Sequence, residues 1–233
     1  MTEKIILIAM LITISIGVSG CMFKKNEPSV EEQVKKYMKD KYNEEFKVLG
    51  GGTEGWNASE TEIYVSSEKF PDERIMIRRG KNSGEMIDNY VSYLMRDKIE
   101  EVMKGIVSPI YPKSKVFYNV ERSPLAGTDP KMNVDEYIKY AGASLILCVI
   151  DADYETNKEK KIEQLRLKFK EKQYITNLTV YYVLDGKLDY VNSSNWRELF
   201  NGISAQEWWT LRGAFNIDKS YNFRYSEWRK INE

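Results

Sequence analysis

Histidine is absent from this chain of 233 residues. Its absence removes the side chain that most often acts as a general base near neutral pH, and with it the Ser-His and Cys-His nucleophile pairs and every zinc site that uses histidine. Hydrolysis by paired carboxylates or by a lysine base stays open. The composition therefore favours a protein that is not an enzyme and that needs no cofactor.

Net charge is also absent, because 35 Lys and Arg residues balance 35 Asp and Glu residues. Domains that bind nucleic acid usually carry a net basic charge, so a nucleic-acid partner is not expected. Charged residues make up 30% of the chain and aromatic residues 12%. These fractions are typical of a folded, well-solvated globular protein and not of a disordered tail.

The first 21 residues, MTEKIILIAMLITISIGVSGC, have the pattern of an export signal. Lys4 precedes an uncharged run from Ile5 to Val18, and small residues follow before Cys21. A membrane-spanning helix needs about 20 apolar residues, so this run is too short to be a permanent anchor. The segment is better explained as a signal that directs export.

The closing tetrapeptide, Val18-Ser19-Gly20-Cys21, resembles the lipobox of bacterial lipoprotein signal peptides. In those proteins a peptidase cuts before the cysteine after its thiol has been diacylated. The resemblance implies that residues 1–20 are a signal peptide, that Cys21 is the lipid attachment site and carries acyl chains such as palmitate, and that the protein lies on the extracytoplasmic face of the cell membrane. Residues 21–28 then form a membrane tether, and lipidation leaves Cys148 without a disulfide partner.

Residues 29–233 mix helical and strand patterns. Segments that are apolar or that alternate with a period of two predict strands at 46–49, 62–66, 74–79, 116–120, 145–150 and 178–184, and Asp185-Gly186 predicts a hairpin turn into a further strand at 187–191. Capping-box pairs predict helix starts at Ser29/Glu32, Asn82/Glu85, Asn133/Glu136, Thr156/Glu159 and Ser204/Glu207. This order favours the α+β class, with a mostly antiparallel sheet and helices packed on it. The turn-rich segment 123–130 is a possible internal domain boundary.

The end of the first predicted helix and the following strand read KYNEEFKVL, residues 41–49. This stretch is similar to uncharacterised secreted lipoproteins of Gram-positive bacteria, some of which are cystatin-like, with a helix laid across an antiparallel sheet. The resemblance is confined to this short segment and implies no activity.

Two carboxylates follow the most apolar predicted strand, Leu145 to Ile150. Asp151 and Asp153 stand where metal-dependent phosphotransferases and glycosyltransferases keep their metal ligands, at the carboxyl end of a buried strand. In the phosphatase pattern a Thr or Val stands two residues after the second Asp, whereas Glu155 occupies that place here. The more economical interpretation is a solvated strand end with no metal.

The C-terminal region is rich in tryptophan, with four of the five Trp residues after residue 195. Helical spacing of Trp208, Leu211 and Phe215 predicts that Trp208 is buried in the core and that its neighbour Trp209 points outward. Exposed tryptophan supplies rigid contact area to partner proteins and stacking faces to sugars. Trp209 and Trp228 are therefore the candidate partner-binding residues.

Two further features, the glycine-rich segment and Cys148, are weaker candidates for a functional site. The glycine-rich segment 50–56, GGGTEGW, lacks the Lys-Ser/Thr ending of a phosphate-binding loop and is interpreted as a hairpin loop. Cys148 lies within an apolar run and is expected to be a small buried hydrophobic residue.

Three functions remain compatible with the sequence. The leading hypothesis is a membrane-anchored, non-enzymatic lipoprotein that binds an unknown protein partner, with immunity to a secreted toxin as one such role. The first alternative is a ligand-binding or sugar-binding lipoprotein, which requires a cleft with convergent polar groups. The second is a metal-dependent enzyme built on Asp151 and Asp153.

Overall fold

The computed structural model describes residues 28–51, 59–201 and 205–230. Within these ranges the chain forms five α-helices and nine β-strands. The helices are α1 (Val30–Tyr42), α2 (Tyr90–Val107), α3 (Val134–Ala141), α4 (Tyr154–Lys172) and α5 (Trp196–Asn201). The strands are β1 (Phe46–Gly51), β2 (Glu60–Ser67), β3 (Ile75–Gly80), β4 (Met86–Asp88), β5 (Ser114–Tyr118), β6 (Ala143–Val149), β7 (Thr176–Val183), β8 (Trp209–Ile217) and β9 (Phe223–Lys230).

The chain divides into two compact units, of which the first ends at Val48. Its helix α1 begins at the predicted capping box, in which the Ser29 hydroxyl accepts a hydrogen bond from the Glu32 N–H and the Glu32 carboxylate accepts one from the Ser29 N–H. The helix ends at Asn43, which takes the left-handed conformation with a φ of 54°. Val34 and Met38, four residues apart, are fully buried and form the apolar face of the helix.

The second unit begins at Leu49, within β1. The first sheet has the strand order β1-β2-β3-β4 and is antiparallel throughout. Ile63 on β2 lies opposite Ile77 on β3, and both side chains are buried. Alternation along these two strands therefore places one face of the sheet in the core.

The second sheet has the order β5-β6-β7-β8-β9. Its pairs are antiparallel except for β6 and β7, which run parallel and are joined by the crossover helix α4. Six of the seven residues of β6 are buried, as expected for a strand covered on both faces. Helix α2 lies against the edge strand β5.

The predicted α+β class is confirmed. The capping boxes at Ser29/Glu32 and Asn133/Glu136 are both present, and α2 ends at Val107 as predicted.

The helix predicted from Asn82 is wrong at its beginning. Residues 81–85 turn β3 into the short strand β4, with Gly84 in the left-handed conformation at a φ of 68° and the Ser83 hydroxyl accepting the Glu85 N–H. Helix α2 begins only at Tyr90. Similarly, α4 begins at Tyr154 and not after Thr156, whose hydroxyl bonds the Asp153 carbonyl inside the first turn.

Two predictions near the C-terminus are also wrong. The segment after Gly186 forms a 3-10 turn, Leu188–Tyr190, in place of a hairpin strand, because Leu188 and Val191 are three residues apart and both enter the core. Ser204, the predicted start of the last helix, lies outside the described residues, and Ala205–Glu207 forms only a 3-10 turn. From Trp209 the chain is strand β8, whose residues alternate between buried and half-buried. Trp209, Leu211, Gly213, Phe215 and Ile217 form its buried face, a period of two that overrides the helical spacing.

No helix among the described residues has the length and apolar character needed to cross a membrane.

Candidate functional site

A cleft of ≈ 470 Å³ opens in the second unit, where the turn before β3, the start of α2, the segment after β5 and the start of α5 come together. We call it the arginine cleft. Its lining residues are Tyr64, Asp72, Glu73, Arg74, Met76, Asn89, Tyr93, Val120, Arg122 and Arg197.

Asn89 fixes the floor of the arginine cleft. It is buried, and its side-chain carbonyl accepts the Met76 N–H at 2.8 Å. Its amide group donates to the carbonyl oxygens of Glu121 and Arg122 at 3.0 and 2.9 Å. One side chain therefore joins β3, the beginning of α2 and the segment after β5, and a well-bonded buried amide of this kind holds its surroundings rigidly.

Tyr93, one turn along α2, completes the floor. Its ring is buried and its hydroxyl donates to the Arg74 carbonyl at 3.3 Å. Burial is the main reason why the pKa of Tyr93 is raised, with Glu73 adding to the effect, whereas the charges of Arg197, Arg96 and Arg122 act in the opposite direction. The hydroxyl therefore lies among positive charges contributed by separate elements of the fold.

Three exposed arginines form the rim. The Arg74 guanidinium lies over the Tyr64 ring, 4.5 Å from its centroid. The Arg197 guanidinium donates to the Asn119 side-chain carbonyl at 3.3 Å and lies 4.9 Å from the Trp196 ring centroid. Aromatic stacking and a single neutral hydrogen bond hold a guanidinium in place while most of its donors stay open.

None of these rim arginines forms an ion pair within the described residues. By contrast, Arg96 beside the cleft is paired with Glu73 at 3.1 Å, and Arg78 on β3 is paired with Glu60 at 3.1 Å. Of the two acidic lining residues, Glu73 is therefore already neutralised. The cleft presents an excess of positive charge on a concave surface, and a guanidinium recognises carboxylates and phosphates through paired N–H donors.

The structure places Asp151 and Asp153 away from this cleft. Asp151 is engaged by Lys161, whose ammonium lies 2.6 Å from its carboxylate, and it also accepts the Asp153 N–H at 3.3 Å. Asp153 is exposed and stands directly before α4. Over the described part of the chain, no group of three or more Asp, Glu or Cys side chains is placed to hold a metal ion.

The predicted exposure of the neighbouring tryptophans is reversed. Trp209 is 8% exposed and belongs to the core cluster with Tyr181 and Phe200. Trp208 is the half-buried one, and the Lys187 ammonium lies 4.8 Å from its ring centroid. The cause is the strand geometry of β8, which sends the Trp209 side chain to the inner face.

Trp228 on β9 is half-buried and packs edge-on against Phe215, with ring centroids 5.0 Å apart. Cys148 is fully buried, as expected, and burial raises the pKa of its thiol. Cys21, with residues 1–27, and residues 52–56 of the predicted glycine loop lie outside the described residues.

Sequence reasoning missed the arginine cleft altogether. Arg74, Arg122 and Arg197 are far apart in the chain and none belongs to a motif. The signal that could have drawn attention to one of them is the Pro71-Asp72 turn, which places Arg74 at the entrance to a strand. Only the fold brings the three together.

An α+β domain with a positively charged cleft is the class of protein that the fold and the site define. No family model matches the chain, and no curated protein matches it. Among solved structures, the chain is similar to a DUF5037 family protein from Ruminococcus gnavus ATCC 29149, with a TM-score of 0.42 and 12% sequence identity over 84% of this chain and 95% of that chain. A TM-score this low supports no argument about function.

Proposed function

We propose that the protein is a lipid-anchored, extracytoplasmic lipoprotein of a Gram-positive-type membrane, and that its domain is a non-enzymatic module that binds an acidic protein partner in the arginine cleft. The observation that carries the binding part is the convergence of Arg74, Arg122 and Arg197 without a carboxylate partner in the described part of the chain. The anchor part is carried by the Val18-Ser19-Gly20-Cys21 sequence.

Arginine at a concave, partly aromatic surface is a common feature of protein interfaces. It contributes to binding hot spots together with Tyr and Trp, and the stem of its side chain adds apolar contact area. A positive patch also attracts a negative partner from a distance and so raises the association rate. Immunity to a secreted toxin is one role that such a surface serves, with an acidic toxin face as the partner.

A small anionic ligand is the second candidate, in keeping with a ligand-binding or sugar-binding lipoprotein. The arginine cleft has a volume of ≈ 470 Å³, and small-molecule sites span roughly 300–1,000 Å³. Nothing among the described residues favours the alternative of a metal-dependent enzyme built on Asp151 and Asp153.

Charge reversal in the cleft tests the proposal. The full chain carrying Arg122→Glu and Arg197→Glu should retain its fold, because both side chains are exposed, but should no longer recover the partner that the wild type recovers from detergent-solubilised membranes. Arg224→Glu on β9, also exposed, is the matched control and should recover it normally. Recovery of the same partner in equal amount by all three proteins would overturn the proposal.

A further inference from the structure

A second depression, of ≈ 610 Å³, lies along the outer edge of β5. We call it the β5 groove. Glu100, Glu101 and Lys104 of α2 form one wall, residues 191–193 form the other, and residues 114–117 of β5 form the floor.

The β5 groove and the arginine cleft are built from the same three stretches of chain. Helix α2 lines the cleft with Tyr93 and the groove with Glu100 to Lys104. The segment 114–122 and the segment 191–197 each line the groove with their first residues and the cleft with their last. The two depressions therefore follow one another along the same three stretches of chain, and we call the two together the track. Along α2, Tyr93 to Lys104 covers about 16 Å, which is the length of about five residues of an extended peptide.

The floor of the groove is a strand edge with open backbone groups. Just after β5, Asn119 donates its N–H to the Ser144 carbonyl on β6. Tyr118, the residue before it, instead donates its N–H away from β6, to the Glu100 carboxylate at 2.9 Å. Backbone groups alternate sides along an antiparallel strand. The N–H and C=O of Val116 therefore point outward, into the groove, where β5 has no neighbouring strand in the described sheet.

Glu100 shows what kind of group this edge takes. Its carboxylate oxygen, at the junction of the groove and the cleft, stands in the position that a carbonyl of an added strand would occupy. Burial raises the pKa of Glu100, and the Tyr118 N–H partly offsets that rise. The edge thus already holds one acceptor that is costly to bury, and a peptide carbonyl could replace it without a charge.

We infer that the partner enters this track as an extended segment, adds to the sheet as a strand beside β5, and places acidic side chains at one end in the arginine cleft. The inference rests on the proposed function for its acidic end. Charge decides the orientation of the segment, because Arg122 and Arg197 attract carboxylates at the cleft end, whereas the groove, lined by two glutamates and two lysines, has no net charge to attract them. Lys115 keeps the far wall in position, because its ammonium binds the carbonyl oxygens of Asp189 and Val191 at 3.0 and 2.8 Å.

Selection from a random dodecapeptide display library on the full wild-type protein provides the probe. Recovered peptides should carry Asp or Glu at one end only, followed by a stretch free of proline. Their affinity, measured by fluorescence polarisation with labelled synthetic copies, should fall at least tenfold when one outward-bonding backbone N–H of the peptide is methylated. Methylation at the neighbouring residue, whose N–H faces away from β5, should have little effect.

Proline substitution tests the same contact from the protein side. Val116→Pro removes an outward N–H and no hydrogen bond to β6, at an edge-strand position where proline is tolerated, and should weaken peptide binding at least tenfold while the fold persists. Lys115→Pro removes an N–H that pairs with β6 and should instead disrupt the sheet. The methylated peptides keep the inference testable if Val116→Pro does not fold.

The outcomes separate the two ideas. Loss of binding with Arg122→Glu but not with Val116→Pro or methylated peptides would overturn the added strand and leave the proposed function standing. Full binding by Arg122→Glu would contradict the proposed function, and the inference with it. Failure to select any peptide with an acidic end would also overturn the inference.

Discussion

At the scale of single residues, the neighbours Trp208 and Trp209 differ in how deeply their side chains are buried. Trp209 packs edge-on against Tyr181, with ring centroids 5.6 Å apart, inside the core, whereas Trp208 is half-buried. Trp209→Ala should reduce the free energy of unfolding by about 3–5 kcal/mol. Trp208→Ala should cost about 1 kcal/mol, close to the worth of its contact with Lys187. Urea denaturation at unchanged m-value measures both, and equal losses would contradict the burial described here.

Gly213 on β8 is a second residue whose surroundings decide the effect of substitution. A Cβ added there would lie 2.5 Å from the Trp228 ring and 2.6 Å from the Phe215 ring, so Gly213→Ala should destabilise the fold by about 1–3 kcal/mol. Gly105 on α2 has open space around it, and Gly105→Ala should stabilise by about 0.5–1 kcal/mol. Thermal unfolding of the two variants should therefore shift in opposite directions.

Glu121, beside the arginine cleft, should make stability depend on pH. Burial raises the pKa of its carboxyl group above the ordinary value of 4.5. The folded state therefore holds this proton more tightly than the unfolded state, and the associated stability is present below pH 4.5 and is lost as the pH rises through the raised pKa. Glu121→Gln should increase the free energy of unfolding at pH 8 and change it little at pH 4. The exposed Glu198→Gln should change it little at either pH, and an equal gain from both variants would contradict the assignment.

At the scale of helices and strands, the two ways in which α3 and α4 begin make a matched pair. The Asn133 side chain accepts the Glu136 N–H at 2.9 Å, whereas Asp153 makes no side-chain capping bond. Asn133→Ala should therefore cost about 1 kcal/mol, and Asp153→Ala should cost much less. Denaturant melts resolve the difference, and a larger loss at Asp153 would show that the carboxylate has a role beyond the helix start.

Elements were predictable from the sequence where local chemistry and burial agreed. The capping boxes at Ser29 and Asn133 lie directly before apolar helical faces, and the uninterrupted apolar run of β6 has no competing pattern. In β8, Leu211 and Phe215 fit both a helical and an alternating period. Gly213 lies between them and has no apolar side chain, because the Trp228 ring fills that space, so the alternation cannot be seen in the sequence. Tertiary packing decided that ambiguity.

The arginine cleft was not predictable, for a different physical reason. Its charges come from a turn, a segment that follows a strand and the first turn of a short helix, and each of these arginines alone is an ordinary exposed residue. What distinguishes them is that none forms an ion pair within the described residues, although Asp72 and Glu73 line the same cleft. This depends on how the turn before β3, the segment after β5 and α5 are placed relative to one another. Local sequence patterns contain no such information.

At the scale of the whole molecule, the proposed membrane anchor depends on one thiol, that of Cys21. Cys21→Ala should abolish incorporation of labelled fatty acid and leave the signal uncut by the lipoprotein peptidase, because both steps require the cysteine. Metabolic labelling followed by electrophoresis measures both, with Cys148→Ala as the matched control that should retain the label. Label in the Cys21→Ala protein would contradict the lipoprotein assignment.

Strand order in the second sheet follows chain order from β5 to β9. Each strand after the first joins one that precedes it in the chain, so no strand must wait for a partner that has not yet been delivered. For a polypeptide that crosses a membrane with its N-terminal end leading, this order allows the sheet to grow one strand at a time. At each stage the edges open to wrong pairing are the outer edge of β5 and the newest strand. Three of these pairings must wait for a connection that contains a helix, because residues 119–142, 150–175 and 184–208 separate β5 from β6, β6 from β7 and β7 from β8. Only β9 can pair at once, after the short turn 218–222.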